Sequence, residues 1–168
     1  MLKDVRYYVL RNIDKEDWPA PLPALLYCFA TIDLLGALYD GNAISFDTIS
    51  KRAKNYMVHA MKYPEEKAKL LQEIFRHKIV HLAQLQPKVK VDGKVFTWRY
   101  DHDDRARHLA LREVDSENDV FEFSVSIWSL AEDIAKSVTG TDGYYEKLYQ
   151  RESLRVNFEK AYSQIFDV

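Results

Sequence analysis

The feature that most constrains this chain is the apolar run from Leu22 to Tyr39. It is interrupted only by Pro23, Thr31, Asp33 and Gly36. A run this uniform has no polar face to turn to water, so it predicts a helix over 23–39 at the centre of a packed protein. With a carboxylate inside it, the run reads as a buried helix rather than a membrane span. Asp33 is then expected to meet a Tyr, an Arg or a backbone group from another helix, because an unpaired buried carboxylate is costly. Asp40-Gly41-Asn42 supplies the stop.

The rest of the chain fits a core built around that helix. At 168 residues, 47% hydrophobic and 30% charged, the sequence predicts a single domain over 1–168. Cys28, the one cysteine, excludes a disulfide framework. No basic start precedes an apolar stretch, so a secretory leader is not expected, and the address reads as cytoplasmic, with no membrane partner. Net charge is -2, but residues 1–44 carry -2, residues 45–112 carry +7 and residues 113–168 carry -7. A basic middle suits phosphate, and equally suits packing beside the acidic end.

Around 23–39, apolar spacing of three and four predicts helices over 2–15, 46–61, 64–85, 120–138 and 144–166, the last broken. Ser45 is the expected N-cap of 46–61, and Pro64 with Glu65 and Glu66 opens 64–85. Lys51-Arg52-x-Lys54 reads as a solvated helix face. The pattern changes after Pro87. Val89 and Val91, then Val95 to Tyr100, flank Asp92-Gly93, which predicts a hairpin over 88–100, with a third strand over 108–114. The expected fold is mainly α, a helical bundle with a small antiparallel β insertion over 88–114.

One stretch carries chemistry. On a wheel of about 100° per residue, Leu71, Ile74, Phe75, Ile79, Leu82 and Leu85 gather on one side of the 64–85 helix. Arg76, Glu73, Val80, Gln84, His77 and His81 occupy the other. A guanidinium and two imidazoles on one open face suit phosphodiester chemistry. The fork of an arginine matches phosphate oxygens, and histidine exchanges protons near neutral pH.

Arg76-His77-x-x-x-His81 resembles the Arg-x4–6-His signature of HEPN domains, in which a polar residue commonly follows the arginine. The resemblance implies a helical bundle whose protomers pair, so that two motifs meet across a two-fold axis. It also implies metal-independent endoribonuclease activity of the kind found in toxin–antitoxin and phage-defence systems. The ribose 2′-hydroxyl attacks and a cyclic phosphate is left. Carried over, His81 takes part in proton transfer or positions that hydroxyl, Arg76 stabilises phosphate charge, and His77 holds the supporting polar position. The expected partners are a second copy of the chain, RNA, and an antitoxin or other protein.

The alternative is a non-catalytic HEPN-like module for dimerisation or for binding a nucleotide or protein. A metal site is not expected. His77 and His81 lie four apart with Glu73 and His59 as conceivable companions, but no Cys-x-x-Cys or His-Glu-x-x-His pattern occurs. No cofactor is implied.

Overall fold

The computed structural model describes residues 21–45, 48–77, 87–101 and 104–166. The expected helix over 2–15, the residues 78–86 and with them His81 lie outside the described residues. The described chain is mainly helical, with one small sheet. It divides into two compact units. Unit one takes the described residues up to Cys28 together with Lys69–Glu132, and unit two takes Phe29–Ala68 together with the residues from Asp133 onward.

Unit one holds a four-stranded sheet in the order β1-β2-β4-β3: β1 (Val89–Val91), β2 (Lys94–Asp101), β3 (Leu111–Asp115) and β4 (Val120–Ser126). The hairpin forms as expected. Asp92 and Gly93 both take positive φ, 50° and 87°, the conformation that a tight turn between twisted strands requires. The sheet is mixed, which corrects the antiparallel expectation: β2 pairs parallel with β4, from Val95 opposite Val120 to Asp101 opposite Ser126. It also corrects the helix expected over 120–138, whose opening stretch, Val120–Ser126, is β4. Phe121, Phe123 and Val125 alternate with polar residues, and Phe123, Ser124, Val125 and Ser126 are buried. Such burial fits a strand that sits between two others. The helix α4 (Ile127–Thr139) begins after Ser126. The Ser126 Oγ accepts from the Ser129 N–H at 3.2 Å, a serine cap on the first turn.

Against this sheet, Phe75 meets Trp98 and Phe123 at centroid distances of 6.2 and 6.1 Å, within the range of favourable aromatic pairs. Phe75 belongs to a π-helical turn, Leu71–Arg76, which continues the short helix α3 (Glu65–Leu70). The His77 N–H reaches back to the Gln72 carbonyl.

Unit two is helical. It contains residues 29–40 of α1 (Pro21–Asp40), then α2 (Ile49–His59), residues 65–68 of α3, the end of α4, α5 (Tyr144–Gln150) and α6 (Glu152–Phe166). Phe29, Ile32, Tyr56, Met57 and Ile134 are buried, and Tyr56 shares a 2.8 Å hydrogen bond with the Ser137 hydroxyl. Ser45 does not cap α2. Thr48 flanks that helix without a side-chain cap bond, while the Ser45 carbonyl accepts from Thr48 Oγ1 at 3.2 Å. Arg52 corrects the solvated-face reading of Lys51-Arg52-x-Lys54, being only 3% exposed. Its Nε and Nη1 have no hydrogen-bond partner. Burial lowers its pKa, opposed by the carboxylates of Asp40 and Asp33. Asp33 is half-buried. Asp33 lies near enough to the Arg52 guanidinium to act on it electrostatically.

Candidate functional site

Leu71, Ile74 and Phe75 are fully buried, as the wheel requires. Arg76 is not on the open face the wheel assigns it: it is 5% exposed, and Gln72 beside it is equally buried. The π turn supplies the reason. A π turn accommodates one extra residue, which rotates the later residues by roughly 100° relative to a regular helix. His77 stays partly open, its side chain 31% exposed, with Nδ1 3.5 Å from Glu73 Oε2. His81 lies outside the described residues, so Arg76 and His77 are the two motif residues with a described place. Among the described residues no three His, Cys, Asp or Glu side chains group as a metal site. Cys28 is buried, which pushes its thiol pKa up to about 12, away from nucleophilic use.

A second constellation lies wholly within unit two. A cavity of about 130 Å³ is lined by Tyr39, His59, Ala60, Lys62, Tyr144, Lys147 and Arg151. Three local structures deliver these groups. Tyr39 comes from the last turn of α1. His59 ends α2, where the Ala60 N–H closes on the Tyr56 carbonyl at 2.8 Å. Lys62 then takes a left-handed φ of 63° and turns the chain, its Nζ donating to the His59 carbonyl at 2.7 Å. Tyr144, Lys147 and Arg151 are spaced by three and four, which puts them on one face of α5 and its C-terminal flank.

The electrostatics of this cavity are one-sided. Its lining holds no carboxylate. Among the described residues no acidic side chain pairs with His59, Lys62, Lys147 or Arg151. Both α2 and α5 end here, and helix C-termini attract cations. Each terminus presents about half a negative charge, roughly one in total. Three lysine and arginine charges plus a histidine exceed that. The surplus is left facing the cavity.

The aromatic side of the cavity is closely packed. Tyr39 and Tyr144 meet at 5.6 Å between centroids, and Tyr56 packs edge-on against both. Tyr144 is 4% exposed, and its hydroxyl is buried with no hydrogen-bond partner. Burial pushes its pKa well up, with Tyr56 and then Tyr39 adding to the effect, so the phenol stays protonated and can donate.

Of these lining residues the sequence singles out His59 alone, and only as a conceivable metal companion. The spacing of Tyr144, Lys147 and Arg151 was the available signal, masked by the -7 of the segment that contains them.

No family model, no curated protein and no solved structure matches this chain.

Proposed function

We propose that this chain is a binding module for a small oxyanion-bearing ligand, held in the unit-two cavity by Lys62, Lys147, Arg151 and His59. The supporting observation is the cavity's charge. Four cationic or protonatable side chains and no carboxylate line about 130 Å³. Arginine offers a planar fork to a tetrahedral or planar oxyanion, and lysine a mobile point charge.

Between the two readings of the Arg76 motif, this one sits with the non-catalytic alternative. Ribonuclease chemistry through Arg76, His77 and His81 needs a guanidinium open to the scissile phosphate, and Arg76 is 5% exposed.

The test is thermal unfolding in phosphate and in sulfate against chloride at matched ionic strength. A ligand that binds only the folded state raises stability by RT ln(1 + [L]/Kd), about 2.7 kcal/mol at one hundred times Kd. Phosphate is expected to raise the midpoint in the intact protein and to raise it less in Lys147→Gln. An identical midpoint in all three salts would remove the proposal.

A further inference from the structure

We infer that the natural ligand presents a terminal phosphate, a monoester dianion, rather than an internal phosphodiester or a carboxylate; this rests on the oxyanion reading of the same cavity.

Size is the first argument. An engineered cavity of about 150 Å³ takes one benzene. The cavity here, about 130 Å³, takes a phosphate group but not the nucleoside or sugar attached to it. His59, Lys62 and Arg151 are exposed, so the cavity opens to solvent on their side and the remainder of the ligand lies out there. A monoester has one substituent and can enter head first. A diester has two, and burying its phosphorus would force one substituent against the lining.

Charge is the second argument. Lys62, Lys147 and Arg151 approach from two separate segments, and His59 adds a fourth nitrogen base. A carboxylate or a diester brings one negative charge, whereas a phosphate monoester above its second pKa of about 6 brings close to two, with three terminal oxygens to accept. Only the last comes near to neutralising three permanent cations.

Tyr144 lines the cavity, and its hydroxyl is buried and unpartnered. A buried donor left unsatisfied is unfavourable, and native structures rarely keep one without a reason. A third terminal oxygen, which a diester lacks, is an acceptor for it.

The experiment is calorimetric titration of the full chain with methyl phosphate, dimethyl phosphate and acetate at pH 7.5, with inorganic phosphate as reference. Methyl phosphate is expected to bind at least tenfold more tightly than dimethyl phosphate or acetate. Tyr144→Phe is expected to weaken methyl phosphate severalfold, with an unchanged circular dichroism spectrum. Dimethyl phosphate binding as tightly as methyl phosphate would overturn the inference while leaving the oxyanion site standing. Failure of all four ligands, inorganic phosphate included, would overturn the site itself. If Tyr144→Phe perturbs the spectrum, the comparison passes to Arg151→Gln, an exposed position. That variant is expected to lose the monoester preference, and retention of the preference counts against the inference.

Discussion

Tyr144 packs against Tyr39 at 5.6 Å, yet its hydroxyl, buried with them, bonds to nothing. Removing that hydroxyl therefore removes no hydrogen bond within the protein. Tyr144→Phe is expected to leave unfolding free energy unchanged or to raise it by up to about 1 kcal/mol, since replacing an unsatisfied buried polar group by an apolar one is neutral or stabilising. Urea denaturation checks this. A loss beyond about 1 kcal/mol means the hydroxyl has a protein partner in solution and is not held for a ligand.

Gly36 is where α1 crosses α2. A Cβ there would stand 2.9 Å from the Ala53 nitrogen and from the Arg52 carbonyl oxygen. These are backbone atoms, which cannot swing aside as a side chain would. Gly36→Ala removes a poor helix residue, worth about 1 kcal/mol in the mutant's favour, but forces the two helices apart. The clash is expected to win, with a net loss of about 1–3 kcal/mol in chemical denaturation. A gain in stability would mean the helices are not in contact at this position.

Burial pushes the Tyr56 phenol up to about 12; its hydrogen bond to Ser137 opposes the rise and the Tyr39 phenol adds to it. The sign follows from linkage. A group that binds its proton more tightly when folded keeps its stabilising contribution below the unfolded pKa, near 10, and loses it as pH rises through the folded value. Stability is expected to fall between about pH 10 and pH 12, by on the order of 2–3 kcal/mol from this group. Denaturation at several alkaline pH values, comparing the intact protein with Tyr56→Phe, reads it. A flat difference between the two across that window contradicts the assignment.

The Cys28 thiol is fully buried and shifted up to about 12. It is expected to resist thiol reagents at pH 8 in the folded protein and to react stoichiometrically in guanidinium chloride. Rapid labelling without denaturant would show that α1 is not packed as described.

Much of this fold was readable in the residues. The apolar run of α1, its stop at Asp40-Gly41 and the Asp92-Gly93 hairpin each carry their own local chemistry, and the structure holds all three. β4 was not readable in the same way. Phe121, Val125 and Trp128 fit a helical stripe, while Phe121, Phe123 and Val125 fit a strand equally well. The choice is made by β2 and β3, which pair on either side. The inward turn of Arg76 depends on a π turn that no residue in Leu71–Arg76 announces. The cavity was least visible, because Tyr39, His59 and Tyr144 are far apart along the chain and only packing brings them together. Only its α5 face has a local pattern.

The most direct test is calorimetric titration of inorganic phosphate into the intact protein and into the double variant Lys147→Gln, Arg151→Gln, in low-chloride buffer. Both side chains stand on one face at the end of α5, and neither is fully buried, so the variant is expected to fold. Saturable binding in the intact protein and at least a tenfold loss in the variant is the expected result. Equal affinity in both, or no heat of binding in either, contradicts the account.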